Sequence, residues 1–192
     1  AAIDPPIVTV PADALLHRVH RAAHPARFYG RRDAGWRWDD PACSYGVLYA
    51  GLTPVGPFAE TLLRRPDQRT LLWSEVARRC FARFRAVRSL RLADLHGAGL
   101  GWFGIDLAAI ATAQDGPAPG GGYATTQAIS ALVHGHTDLD GIQIDRGSTA
   151  TIYASPCSSA DAAFELVAEG EPIARDWAEA LLTPRGRRIV DL

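Results

Sequence analysis

The sequence contains no lysine, no asparagine and no methionine, and all 20 of its basic residues are arginines. Lysine and asparagine codons are rich in A, so we attribute this bias to a GC-rich genome rather than to a special need for arginine. The formal net charge is −1 at pH 7. The chain therefore lacks the basic excess with which nucleic-acid-binding domains attract phosphate, and we expect no direct binding of nucleic acid.

Long apolar runs are also missing, since no stretch approaches the roughly 18 residues that a membrane span needs. The first residues lack the basic region of a signal peptide. The three cysteines, Cys43, Cys80 and Cys157, are far apart and show neither metal-ligand spacing nor a C-x-x-C pair. We therefore expect a cytoplasmic protein with reduced thiols, no membrane contact and no catalytic cysteine.

Size and composition predict one compact α+β domain over residues 1–192. Hydrophobic residues make up 47% of the chain and charged residues 21%, as in ordinary globular proteins. Residue patterns predict strands at 7–10, 15–21, 45–51, 86–95, 139–145 and 148–154, and helices at 53–65, 71–84, 104–113, 123–136 and near 174–182. For the first helix we expect Thr53 as N-cap and Pro54 as first helical residue, and Asp106 caps the third. Because strands and helices do not alternate regularly, the pattern favours α+β over a doubly wound sheet.

Several familiar site types are not supported. The glycine-rich segment 118–123 lacks the Lys-Ser/Thr of a P-loop, so an ordinary loop is the better interpretation. Histidines at 17, 20, 134 and 136 do not have metal-ligand spacing, because neighbours in the two pairs point to different sides. Serines 44, 130 and 148 are not part of a G-x-S-x-G elbow. We expect no metal.

Four residues remain as a candidate constellation: Arg18, Arg37, Tyr49 and Glu60. Each alone has an ordinary structural explanation, such as a solvated strand arginine or a polar helix face. Glu60 is unusual because it stands in the otherwise apolar segment P-F-A-E-T-L-L.

The order of motifs connects these residues. "LLHRVHR", "GWRWDDP", "GVLYAGLTPVGPFAETL", "TTQAISAL" and "DGIQIDRGS" follow one another, and this series resembles the RES domain family over about residues 15–155. The block from Trp36 to Glu60 is its most specific part. The resemblance implies a fold similar to that of ADP-ribosyltransferase toxins, and a toxin of a bacterial toxin–antitoxin module that consumes NAD⁺.

Carried over by residue, the resemblance implies catalytic roles for Glu60, Tyr49 and Arg37. It implies NAD⁺ binding by Arg18, Arg37, Tyr49, Gln127, Arg146 and Ser148. The family's serine position is altered, because Arg146 stands about where that serine is expected and Ser148 follows two residues later. Ser155 is a further candidate for that position.

The chemistry of NAD⁺ suits these residue types. Arginine binds phosphate bidentately and keeps its charge, which suits Arg18 and Arg37, and the Tyr49 ring can stack on nicotinamide. Cleavage of the nicotinamide–ribose bond builds an oxocarbenium-like centre, which a carboxylate such as Glu60 stabilises. We expect Glu60 to project into a cleft at the end of the strand at 47–50.

Three hypotheses differ in the acceptor of ADP-ribose. Transfer to a protein is the preferred hypothesis, hydrolysis or phosphorolysis of NAD⁺ is the second, and a degenerate partner-binding domain blocked by Arg146 is the third. The resemblance also implies an antitoxin partner of the Xre DNA-binding type, which covers the cleft within a higher oligomer.

Overall fold

The computed structural model describes residues 6–29, 35–63, 67–106, 108, 123–136, 138–144, 150–154 and 163–191. Within these ranges the strands are β1 (Ile7–Val10), β2 (Leu15–Arg21), β3 (Gly46–Ala50), β4 (Thr70–Leu72), β5 (Arg79–Ala86), β6 (Leu90–Asp94), β7 (Gly141–Gln143), β8 (Ala150–Ala154), β9 (Phe164–Pro172) and β10 (Arg188–Val190). The helices are α1 (Val55–Leu62), α2 (Trp73–Val76), α3 (Ala98–Trp102), α4 (Ala124–His134) and α5 (Arg175–Leu182), and a 3₁₀ turn spans Thr183–Arg185. The predicted α+β class is confirmed.

The described strands form two sheets and a separate pair. The larger sheet has the order β1-β6-β7-β8-β3 and is antiparallel except for the parallel pair β6–β7. The smaller sheet, β2-β5-β9, is antiparallel throughout. Strand β10 pairs with β4 in parallel. A single bridge between His17 of β2 and Gly51, just after β3, joins the two sheets at one point.

A hydrophobic core fills the space between the two sheets, and we call it the sandwich core. Both sheets contribute to it: its buried members are Val10, Leu16, Ala26, Leu48, Ala50, Ala82, Phe84, Ala86, Leu90, Leu92, Ala163 and Phe164. Side chains alternate along a strand between its two faces. The sandwich core therefore collects every second residue of β3 and β5.

Two further cores lie outside the sandwich. The α4 core packs α4 against the larger sheet and contains Trp38, Tyr45, Val47, Ala93, Leu95, Leu100, Ile129, Val133, Leu139 and Ile142. The C-terminal core gathers α1, α5, β4 and β10 against β2, and contains Val19, Phe58, Leu62, Leu71, Val76, Ile173, Ala178, Leu182 and Ile189. Strand β2 is thus covered on both faces.

The helix predicted at 71–84 is wrong. That segment instead forms β4, the short helix α2 and most of β5. Along β5 the residues Cys80, Ala82, Phe84 and Ala86 are buried and their neighbours are half-buried, which is the period of two of a strand. In the sequence, the alternation of arginine with apolar residues at 79–86 indicates this strand.

The boundaries of α1 also differ from the prediction. The helix ends at Leu62 rather than near 65, and Pro54 occupies the N-cap position without a side-chain hydrogen bond. Thr53 therefore does not cap the helix. Strands at 7–10, 15–21 and 46–50 and the helix at 124–134 agree with the sequence patterns. The helix predicted at 104–113 falls largely outside the described residues, although Asp106 Oδ1 accepts a hydrogen bond from the Ala108 N–H at 2.9 Å.

Candidate active site

Arg18 lies on the face of β2 that points into the sandwich. It stands opposite Ala82 of β5, and directly opposite residues of an antiparallel pair share a face. Its neighbour on this face, Leu16, is fully buried and stands opposite Phe84. A charged side chain is therefore held where apolar residues are expected.

The Arg18 guanidinium is only partly satisfied. Its Nε and Nη1 atoms are buried and have no hydrogen-bond partner among the described residues. Burial lowers the pKa of Arg18 to about 10, and the ionised forms of Tyr29 and Tyr49 act in the opposite direction. Even so, the side chain is cationic at neutral pH. A buried cation with unused donors requires an anion, so these atoms form a candidate phosphate-binding group.

Tyr49 connects β3 to the loop that precedes it. On β3 its neighbours Leu48 and Ala50 belong to the sandwich core, whereas Tyr49 packs against the α4 core. Its hydroxyl accepts a hydrogen bond from the Trp38 N–H at 3.3 Å. Tyr49 is therefore tied to the segment that carries Arg37, and it is close enough to Arg18 to affect the pKa of that arginine.

Helix α4 holds the segment 36–38 in place. Gln127 Nε2 donates to the carbonyl of Trp36 at 3.0 Å, and the Ser130 hydroxyl donates to the carbonyl of Trp38 at 2.7 Å. Between these anchors, the Arg37 guanidinium lies over the ring of Tyr123, 6.0 Å from its centroid. The predicted residues Arg37, Tyr49 and Gln127 thus belong to one connected structure.

Behind this segment lies a buried polar network. Because the Ser130 hydroxyl donates to Trp38, it accepts from the Tyr45 hydroxyl, which is 2.9 Å away. Burial raises the pKa of Tyr45 to about 12, so its phenol remains a donor. The Tyr45 ring stacks on His134, with centroids 3.9 Å apart and an interplanar angle of 15°.

Two buried aspartates close the turn between the loop and β3. Asp39 Oδ2 accepts from the Trp36 N–H at 2.9 Å, and Asp40 accepts from the Ala42 N–H and from the N–H and hydroxyl of Ser44. Burial alone would raise the pKa of Asp40, but these hydrogen bonds outweigh it and lower the pKa. The turn is therefore built around two buried carboxylates, of which Asp40 is held in its ionised form.

Glu60 is exposed on α1. The helix packs against β2 and β3, the strands of Arg18 and Tyr49, through a face that includes Phe58 and Leu62. Phe58 and Leu62 are four apart and so share a helix face, and Glu60 lies midway between them in sequence, on the opposite side of the helix. Glu60 therefore stands on the side of α1 away from the C-terminal core.

The family model of the RES domain matches residues 15–155, which is more than half of the chain. The chain belongs to the RES domain family. No curated protein matches the sequence.

The fold of this RES domain has a counterpart among solved structures. It is similar to a chain in the crystal structure of the M. tuberculosis MbcT–MbcA toxin–antitoxin complex, with a TM-score of 0.57 and 12% sequence identity. The similarity covers 93% of this chain and 91% of that chain. Such low identity establishes the shared fold alone.

Two expected binding residues of the RES domain, Arg146 and Ser148, lie outside the described residues, as do Ser155 and the glycine-rich segment 118–122. The position of the family's serine therefore stays a prediction. Among the described residues, no group of histidine, cysteine, aspartate or glutamate could hold a metal ion. Neither Cys43 nor Cys80 forms a disulfide bond. No described helix combines the length and apolar character needed to cross a bilayer.

Sequence reasoning did not single out two residues that the structure places near the candidate residues. Ser130 lies three positions after Gln127, so helix geometry places both on one face, and that spacing could have identified it. Tyr29 lies in the segment between β2 and β3, and only the folded chain brings it within electrostatic range of Arg18.

Proposed function

We propose that this RES domain is the toxin of a bacterial toxin–antitoxin module and that it cleaves the nicotinamide–ribose bond of NAD⁺. The Arg18 guanidinium, with two buried nitrogen donors that have no hydrogen-bond partner among the described residues, is the observation that carries the proposal. The pyrophosphate of NAD⁺ supplies the anion that such a group requires. Membership of the RES family and the shared fold with a toxin–antitoxin complex support the same function.

In this mechanism the arginines bind and the carboxylate acts on the reacting centre. Arg18 and Arg37 bind the pyrophosphate, with Gln127 and Ser130 fixing the backbone on either side of Arg37. Tyr49 stacks on nicotinamide. The bond between ribose C1 and the nicotinamide nitrogen breaks, its electron pair leaves with neutral nicotinamide, and Glu60 stabilises the positive charge that develops on the ribose.

The acceptor then attacks C1 and loses a proton. We favour a side chain of a target protein as acceptor, which makes the enzyme an ADP-ribosyltransferase. Because Glu60 is exposed on α1, the acceptor side of the site is open to solvent and can admit a macromolecule. The same exposure favours a second candidate function, in which water or phosphate attacks and NAD⁺ is depleted.

We also propose the partner and location of the enzyme. An antitoxin of the Xre DNA-binding type covers the cleft in a higher oligomer, and the complex is cytoplasmic. Coexpression with such a neighbouring gene is expected to restore growth and to give a complex that co-purifies. Failure of both would contradict the toxin assignment.

The experiment that separates the activities uses NAD⁺ labelled in its adenylate part. The purified chain is incubated with it in buffer, in buffer with phosphate, and in cell extract. A labelled protein band in extract indicates transfer; free ADP-ribose indicates hydrolysis, and its 1″-phosphate indicates phosphorolysis. Intact NAD⁺ under all three conditions would contradict the proposed function and favour a domain that only binds a partner.

A further inference from the structure

The C-terminal part of the chain lies beyond the family match and yet supports the candidate site. The family model ends at residue 155, whereas α5 and β10 contribute Ala178, Leu182 and Ile189 to the C-terminal core. The same core contains Val19, the neighbour of Arg18 on β2, and Phe58 of α1. One cluster therefore connects the strand of Arg18 with the helix of Glu60.

Trp177 of α5 makes the most specific contacts in this cluster. Its ring meets Phe58 edge-on, with centroids 5.2 Å apart and an interplanar angle of 80°. It meets Phe81 of β5 in the same way, at 5.2 Å and 90°. Phe58 is fully buried and precedes Glu60 by two residues. Phe81 stands opposite Val19 in the strand register.

We propose that Trp177 is a positioning residue for the reaction proposed above. Through Phe58 it fixes the place of α1 and hence of the Glu60 carboxylate. Through Phe81 it ties that helix to the strands β5 and β2, so that the carboxylate keeps its distance from the Arg18 guanidinium. The inference rests on the proposed function, and it assigns to a residue outside the matched region a role in turnover.

The edge-to-face direction of the aromatic contacts fixes the orientation of Phe58 and, through it, the position of α1. Edge-to-face pairs have a preferred geometry, so an aliphatic side chain at 177 fills space without restoring the orientation of Phe58. Helix α1 is short and begins without a side-chain cap, so its position depends on packing rather than on its own stability. A displacement of about 1 Å at a catalytic group can lower a rate by about a hundredfold.

The test compares three variants of the full chain. Trp177→Leu removes both edge contacts, Trp177→Phe keeps an aromatic ring, and Ile189→Ala is the matched control, because Ile189 lies in the same core but on β10, paired with Leu71. The measurements are kcat and KM for NAD⁺ consumption and the melting temperature. Phe58→Leu breaks the same contact from the helix side and decides the question if Trp177→Leu does not fold.

Trp177→Leu is expected to lower kcat by about 10- to 100-fold while KM changes little, since Arg18 still binds NAD⁺. Trp177→Phe should recover most of the loss, and Ile189→Ala should lower the melting temperature without lowering kcat. Wild-type kcat in Trp177→Leu, or an equal loss of kcat in Ile189→Ala, would overturn the inference. If the wild-type chain leaves NAD⁺ intact, the proposed function itself fails, and the positioning role is overturned with it.

Discussion

At the scale of single residues, Glu60 is the sharpest test of the proposed reaction. Glu60→Gln keeps the shape of the side chain and removes its charge. Turnover of NAD⁺ should fall by about 10²- to 10³-fold, the usual effect of removing one preorganised electrostatic contact, while NAD⁺ binding and the melting temperature stay near wild type. Kinetics and binding isotherms measure the two effects separately.

The matched control for this variant is Glu75→Gln, because Glu75 is also an exposed helical glutamate. Its substitution should leave turnover unchanged and should change the free energy of unfolding by less than about 0.5 kcal/mol. Normal turnover and normal toxicity in Glu60→Gln would show that the active site lies elsewhere.

Arg18 offers a second test at this scale, because function and stability should move in opposite directions. Replacing a buried, incompletely paired cation with an apolar side chain of similar length removes a desolvation cost. We therefore expect Arg18→Met to raise the stability of the ligand-free protein by about 1 kcal/mol or more and to abolish NAD⁺ binding.

Calorimetric titration with NAD⁺ and urea unfolding of the same samples provide both quantities. A destabilised Arg18→Met protein that still binds NAD⁺ would instead identify Arg18 as a structural residue. This outcome would also remove the observation on which the proposed function depends.

At the scale of elements, α4 is linked to the start of β3 through the stacked rings of His134 and of Tyr45, the residue before the strand. Burial lowers the pKa of His134, and the charge of Asp40 opposes this in part. The unfolded chain therefore binds this proton more readily than the folded one, with a pKa near 6.5. The contribution of His134 to the free energy of unfolding is therefore complete above this unfolded-state pKa. It is lost as the pH falls through the lower pKa of the folded state.

His134→Phe keeps a flat ring against Tyr45 and removes the titration. We expect the stability of this variant to decline less than that of the wild type between about pH 7.5 and pH 5. Some decline remains, because burial also lowers the pKa of His17. Urea unfolding at several pH values gives the comparison, and parallel curves for the two proteins would contradict the expectation.

The elements also show what could be predicted from sequence. The segment 15–21 was identified as a strand by its alternation, and the order of motifs from Trp36 to Glu60 identified the family. The strand within the segment 71–84 could not be predicted, because the leucines, arginines and Glu75 of this segment also suit a helix. Short segments of this kind are ambiguous between helix and strand. Only the pairing of β5 with both β2 and β9 decides in favour of a strand, and such long-range pairing is not visible in a local pattern.

The candidate site, like the fold, could be predicted only in part from the sequence. Arg18, Tyr49, Arg37 and Gln127 could be named from their order in the chain, and hydrogen bonds tie Tyr49 and Gln127 to the segment that carries Arg37. The burial of Arg18 could not be predicted, because it depends on the packing of two sheets that meet at the bridge between His17 and Gly51. Nor could the sequence place the α4 network, since Ser130 reaches Trp38 across 92 positions of the chain.

At the scale of the whole molecule, the three cores share strands and should unfold together. The sandwich and C-terminal cores both use β2 and β5, and the sandwich and α4 cores both use β3. We therefore expect residues 1–192 to behave as one domain with a single calorimetric transition, in which the van't Hoff and calorimetric enthalpies agree. Two separate transitions would show that the chain contains two units.

The pairing of β10 with β4 has a consequence for folding during synthesis on the ribosome. Residues 188–190 lie beside residues 70–72, and a ribosome delivers the chain from its N-terminus onward. Contacts of such large sequence separation form slowly. The packing of Trp177 in α5 against Phe58 in α1 is likewise possible only after residue 177 has emerged. We expect ribosome-bound chains that stop before Trp177 to lack turnover of NAD⁺, because Phe58 then has no aromatic partner on α5.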